Sequence, residues 1–171
     1  MQSLDSNKNI SILGILTAFT IIIGFLENLI PLPLPGVKLG LANIGIMLSI
    51  YILGFSKSIY IAFLKSIILS IFTGNLIIKF SISLPATVVA TTIMFISYKL
   101  LKKATPLSIG AIGGFIHMNM QFFVIKTLYL KTTAIIYLVP YYSIISVFSG
   151  IVTGYITYKI LKVLEQTILS S

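Results

Sequence analysis

Residues 27–43 read ENLIPLPLPGVKLGLAN and separate two apolar runs, at residues 10–29 and 39–56. The stretch begins with Glu27, one of only three acidic residues in the chain, and it holds three of the six prolines. Proline fixes φ and pushes the residue before it towards an extended conformation, so the stretch is predicted to be a stiff loop between two helices. Its leucines would be poorly placed in bulk water. We therefore expect the loop to lie against the protein as a lid.

The rest of the chain consists of further apolar runs of similar length. Of 171 residues, 57% are hydrophobic and 9% are charged, whereas soluble domains carry about a quarter charged residues. A helix needs about 20 apolar residues to cross the hydrocarbon core of a membrane. The predicted fold is an all-α integral membrane protein, a single transmembrane domain over residues 1–171. Its six predicted spans are residues 10–29, 39–56, 58–78, 80–98, 106–125 and 132–158.

The distribution of lysines predicts the orientation in the membrane. With the N-terminus inside, seven lysines fall in cytoplasmic segments and four in outer segments, and Lys65 lies within a span. Cytoplasmic loops carry an excess of Lys and Arg. Both termini are therefore predicted to be cytoplasmic, and the proline-containing loop is predicted to be outside.

Composition excludes several classes of function for this chain alone. It has no Cys, one His and three acidic residues, so thiolate metal sites and clustered carboxylates for Mg²⁺ cannot be built from it. No glycine precedes a lysine, so there is no Walker A loop. The lysines fall between apolar runs and form no basic face, which argues against nucleic acid. We predict a protein that is not an enzyme, with no metal and no cofactor.

Polar residues at membrane depth are the candidates for a binding site. Lys65 lies eight residues beyond Lys57, about 12 Å into its span. A lysine in a span costs about 2.5–3.5 kcal/mol on insertion scales and usually faces the interior or a cavity. The alternative is that its ammonium reaches back to the inner surface. Glu27 and Asn28 close the first span, where they could equally be an ordinary helix end at the interface.

His117 and Gln121 are four residues apart and share one face of the fifth span. They belong either to a ligand site or to a hydrogen bond between helices. Asn119 lies between them and points roughly the opposite way on a regular helix, which makes it a weaker candidate. Three glycines precede the pair on much the same side and permit close helix approach: Gly110, Gly113 and Gly114.

Two motifs of small residues predict helix contacts. Gly14 and Ala18 form a G-x-x-x-A motif in the first span, and Ser146, Gly150 and Gly154 form a similar stripe in the last. Such motifs are common where membrane helices pack closely. They indicate a contact without identifying the partner.

The stretch at 27–43 resembles the signature of the Gx transporter family, often labelled heptaprenyl diphosphate synthase component I. That family usually has Arg in the third span where this chain has Lys65. The run G-G-F-I-H-M-N-M-Q at 113–121 resembles the family's G-A-x-x-H-N-x-G-Q, with Met118 and Met120 in place of Asn and Gly. The resemblance covers nearly the whole chain.

This family is similar to the substrate-binding S components of energy-coupling factor (ECF) importers. The resemblance implies a six-helix bundle in the bacterial plasma membrane, surrounded by lipid, with an outward-facing pocket under the first external loop. It also implies that Gly14 and Ala18 dock a transmembrane coupling subunit, which two ATPase subunits drive. The implied ligand is a small polar or anionic, vitamin-like molecule. The residues implied to bind it are Glu27, Asn28, Lys38, Asn43, Lys65, His117, Asn119 and Gln121.

A rival interpretation is a non-transporting membrane subunit, associated with prenyl diphosphate or quinone synthesis or with a membrane redox assembly. The polar residues would then be hydrogen bonds between helices, and the loop would be a docking surface. The synthase label fits the composition poorly. The only Asp is Asp5, in the N-terminal tail, so the chain alone cannot build a carboxylate site for Mg²⁺.

Overall fold

Five long helices and one short helix form the protein in the computed structural model, which describes residues 2–30, 38–130 and 133–169, with side chains at 7–30, 38–130 and 136–167. These residues contain no strand, which confirms the all-helical prediction. The helices are α1 (Gln2–Glu27), α2 (Asn43–Ile52), α3 (Phe55–Phe72), α4 (Leu76–Leu100), α5 (Pro106–Leu128) and α6 (Val139–Leu169). A 3₁₀ helix at Thr133–Leu138 precedes α6. Five segments are long and apolar enough to cross a membrane: Asn7–Glu27, Phe55–Phe72, Leu76–Leu100, Pro106–Leu128 and Ile136–Thr167.

The second predicted span, residues 39–56, differs from the expectation of a full membrane helix. Only ten of its residues form α2, and at 1.5 Å per residue they extend about 15 Å, half the hydrocarbon thickness. Gly40 and Gly54 have φ values of 91° and 83°, a conformation that glycine adopts readily and that a regular helix excludes. The apolar run is therefore long enough to span, but its two glycines confine the helix to its middle.

The short helix α2 lies at the centre of the bundle. It packs against each of the other five helices, and Asn43–Ile50 are buried throughout. A helix in this position is apolar on all sides because every side meets protein. The long helices surround it in the order α1, α3, α4, α5 and α6. An apolar groove of about 790 Å³ remains between α1 and α6.

Glycines bring α5 and α6 into backbone contact. A Cβ added at Gly110 would collide with the carbonyl oxygen of Gly150, and a Cβ at Gly114 would collide with that of Ser146. Gly154 is likewise closed in by the first residues of α5. The stripe of small residues in the last span therefore contacts α5 of the same chain, which identifies a partner that the sequence left open.

The small residues of α1 are in different surroundings. Leu16, Thr20 and Glu27 face the bundle and are buried, whereas Gly14 and Ala18 are exposed. No atom lies within 4 Å of the position that a Cβ of Gly14 would occupy. This face of α1 is not covered by the part of the chain that the structure describes.

Candidate functional site

Six of the predicted site residues lie together near the end of the bundle where α1 stops. We call them the polar cluster, and all six are buried: Lys65 and Gln121 are 1% exposed, His117 2%, Asn43 3%, Glu27 4% and Lys38 8%. They come from α1, the segment before α2, α2 itself, α3 and α5. Buried polar groups need hydrogen-bond partners, and buried charges need compensation. The partners of each group therefore indicate what the cluster can bind.

Two side chains fasten the non-helical segment between Lys38 and Ala42 inside the bundle. The carboxylate of Glu27 accepts hydrogen bonds from the backbone N–H groups of Gly40 and Ala42, the latter at 3.2 Å. The amide of Gln121 accepts a bond of 2.8 Å from the N–H of Lys38 and donates one of 3.1 Å to its carbonyl oxygen. Irregular backbone within a membrane bundle is stable only where its polar groups find such partners. Glu27 and Gln121 therefore position this segment.

Gly40 allows the segment to pass close to the imidazole of His117. A Cβ at this position would stand 2.9 Å from Nδ2 of Asn43 and 3.4 Å from Cδ2 of His117. The positive φ of Gly40 is also one that other residues rarely adopt. Gly40 and the backbone N–H of Ala42 were not predicted as site groups, because their only signal in the sequence is a glycine within an apolar run.

Lys65 faces the interior, so its ammonium does not reach back to the membrane surface. The ammonium donates a hydrogen bond of 3.2 Å to Oδ1 of Asn43, which begins α2. An ammonium has three donors, and Asn43 is the one acceptor that the described residues provide for it. Two donors are left for other partners.

Lys38 adds a second ammonium to the polar cluster. No described side chain or backbone group accepts a hydrogen bond from it. Burial lowers the pKa of Lys38, the Glu27 carboxylate offsets part of this effect, and Lys79 lowers the pKa further. With one carboxylate and two ammonium groups, the cluster has a net formal charge of +1 when His117 is neutral.

His117 contributes a ring nitrogen that has no partner. Its Nδ1 is buried and makes no hydrogen bond of normal distance and angle with any described residue, although the backbone of Ala86 on α4 lies close to the ring. Depending on the tautomer, that nitrogen either donates or accepts. A buried polar atom without a partner costs about 1–3 kcal/mol. The polar cluster thus has unused hydrogen-bonding capacity on three side chains, those of Lys38, Lys65 and His117.

Two predicted site residues lie outside the polar cluster. Asn28 donates to the carbonyl oxygen of Gly24 at 2.7 Å, within the end of α1. Asn119 donates to the carbonyl oxygen of Phe115 at 2.8 Å and to Oγ of Ser143 on α6 at 3.0 Å. Both amides are held by their own helices. They are not directed at the cluster.

The predicted lid at residues 31–36 lies outside the described residues. Among residues whose side chains are described, no group of three His, Cys, Asp or Glu could hold a metal ion.

Comparison with protein families identifies a relationship over most of the chain. A family model described as heptaprenyl diphosphate synthase component I matches residues 16–160. The matched region includes every residue of the polar cluster. No curated protein and no solved structure matches the chain.

Proposed function

The chain belongs to the heptaprenyl diphosphate synthase component I family, and from this membership and the polar cluster we propose that it is the substrate-binding S component of an ECF-type importer. In this role it captures a small anionic or polar ligand from outside the cell. It has no catalytic role of its own.

The excess of positive charge in the polar cluster is the observation that carries the proposal. Lys38 and Lys65 are buried with a single carboxylate, Glu27, whose oxygens accept from backbone N–H groups. A buried charge without compensation is costly, and an anionic ligand removes that cost. The start of α2 supports the same conclusion. Transporters commonly use the N-terminal end of a half-helix inside the bundle to favour an anionic group of the substrate.

The exposed face of α1 supports a membrane partner. Gly14 and Ala18 are small, exposed and one turn apart, which permits a helix of another protein to approach closely. In the proposed importer this partner is the coupling subunit, and two ATPase subunits supply the energy. That division of labour agrees with the absence of a Walker A loop from the sequence.

The family name favours a second candidate, a non-transporting membrane subunit associated with prenyl diphosphate synthesis. In that case the polar cluster only holds α2 between its neighbours. The two functions differ in whether the protein carries an anion and whether Lys65 is needed for it.

A native mass spectrum of the protein, purified from membranes of its own host, tests the proposal. We expect a bound small molecule in wild type, its loss in Lys65→Met, and its retention in Lys126→Met, which removes an exposed lysine of α5. Chemical identification of the released molecule then names the ligand. Identical spectra for the three proteins, with no small molecule bound, would contradict the importer and favour the synthase subunit.

A further inference from the structure

The charge of the polar cluster limits the charge of its ligand. Its single buried carboxylate and two buried ammonium groups leave an excess of one positive charge. Lys79, which acts on Lys38 from outside the cluster, is only partly buried, and its ammonium donates to the carbonyl oxygen of Thr73. A ligand with one negative charge neutralises the site. A diphosphate ester carries two or more negative charges at neutral pH, so it would leave the buried site with a net negative charge. Uncompensated charge of either sign is costly in a buried site.

The chain also lacks two of the groups with which proteins commonly bind diphosphates, arginine and a carboxylate-held Mg²⁺. It has no Arg, the residue whose planar guanidinium matches phosphate oxygens with two parallel hydrogen bonds. Mg²⁺ commonly bridges phosphates to carboxylates, but the described side chains offer no cluster of acidic residues for it. The backbone N–H groups of Gly40 and Ala42 are already bonded to Glu27.

The unused donors suit a smaller anion. The ammonium groups of Lys38 and Lys65 and the unpartnered Nδ1 of His117 are each at least nine-tenths buried. A carboxylate has two oxygens with about four acceptor positions, and its single negative charge matches the excess of one positive charge among the buried groups.

We propose that the ligand of the polar cluster is a monoanion, held through one carboxylate by Lys38, Lys65 and His117, and that the site does not take a prenyl diphosphate. This inference rests on the proposed function, since it assumes that the cluster binds a ligand. It adds the charge and the chemical class of that ligand. It also implies that the site does not bind the heptaprenyl diphosphate that the family's name mentions.

Three probes with the same branched five-carbon chain test the inference: 4-methylpentanoate, isopentyl phosphate and isopentyl diphosphate. The carboxylate carries one negative charge, the phosphate about two and the diphosphate more than two. Binding to the purified wild-type protein is measured in Mg²⁺-free buffer by the rise in unfolding temperature with probe concentration. We expect 4-methylpentanoate to bind at least tenfold more tightly than isopentyl diphosphate. Lys65→Met should abolish its effect, and Lys126→Met should leave it unchanged.

A second variant tests the charge count without removing a lysine. Asn43→Asp is nearly isosteric and places a negative charge beside the Lys65 ammonium, at the start of a helix, where anions are favoured. This change should raise the unfolding temperature of the ligand-free protein and abolish the effect of 4-methylpentanoate. Unchanged binding of the carboxylate by Asn43→Asp would overturn the inference.

The failures of the two proposals are distinguishable. Tighter binding of isopentyl diphosphate than of 4-methylpentanoate, lost in Lys65→Met, would overturn the monoanion and leave an anion-binding site standing. If none of the probes changes the unfolding temperature of wild type, or if Lys65→Met responds like wild type, the anion-binding function itself fails.

Discussion

Lys65 has a charge in the interior of a helix bundle, with Asn43 as its hydrogen-bond partner among the described residues. If a ligand anion completes its coordination, Lys65→Met removes one member of a buried charged pair, which costs about 3–5 kcal/mol. Each 1.4 kcal/mol is tenfold in affinity, so we expect the ligand that the mass spectrum identifies to bind at least about 100-fold more weakly. Titration of both purified proteins checks this. Equal affinities would remove Lys65 from the binding site.

Gln121 acts on the segment before α2, because both polar atoms of its amide are bonded to the backbone of Lys38. Gln121→Ala leaves that N–H and carbonyl without partners, at about 1–3 kcal/mol each if they stay buried. We expect the segment at 38–42 to open more often, so that its amide hydrogens exchange faster. Asn119→Ala, also an amide on α5, is the control and should leave exchange at 38–42 unchanged. Equal exchange in both variants would contradict the role of Gln121.

Depth and periodicity in the sequence were enough to predict that Lys65, His117 and Gln121 face the interior. The same criteria also selected Asn28 and Asn119, whose amides bond to carbonyl groups one turn back in their own helices. Such local hydrogen bonds compete with contacts to other helices. A hydropathy profile does not reveal them. Contacts that join distant parts of the chain, such as Glu27 with the backbone of the segment before α2, leave no periodic pattern.

At the scale of elements, α2 depends on a turn that Gly40 makes. Gly40→Ala combines an unfavourable positive φ with crowding of Asn43. Gly74→Ala is the matched control, since Gly74 has a φ of 73° and nothing within 4 Å of its Cβ position. A non-glycine residue in this region costs about 1–3 kcal/mol. Both variants should have a lower unfolding temperature than wild type, and that of Gly40→Ala should be the lower of the two. Only Gly40→Ala should weaken ligand binding. Equal effects would show that the segment tolerates a side chain there.

The exposed face of α1 is the second element that makes a prediction. Replacing both Gly14 and Ala18 with Leu should block the close approach of a partner helix. The double replacement should not disturb contacts within the described structure, since both positions are exposed. We expect ligand binding by the isolated protein to persist while co-purification with a coupling subunit falls. Val152→Leu, on the exposed side of α6, should leave the complex intact. An unchanged yield of complex after the double replacement would count heavily against the importer.

For the whole molecule, hydropathy predicted all five long segments, the first four to within six residues at each end, but it ended the last one at residue 158, nine residues before Thr167. It failed for α2, because a run of apolar residues does not distinguish a helix that crosses lipid from one that is enclosed by protein. The order in which the long helices pack around α2 could not be predicted from the sequence either. That order follows from close contacts such as Gly110 with Gly150 and Gly45 with Thr20, each of which joins residues on different helices.

Orientation in the membrane is a property of the whole chain, and it stays a prediction. Seven lysines in the segments at one side against four at the other predict that both termini are cytoplasmic, so the loop with Gly36 should face outwards. The chain has no Cys, so Gly36→Cys creates a single reactive thiol without further changes. A membrane-impermeant maleimide added to intact cells should label this variant. It should label Lys102→Cys, at the turn between α4 and α5, only after the cells are opened. The reverse pattern would place the polar cluster near the cytoplasmic surface, and a ligand from outside could then not reach it through the loop.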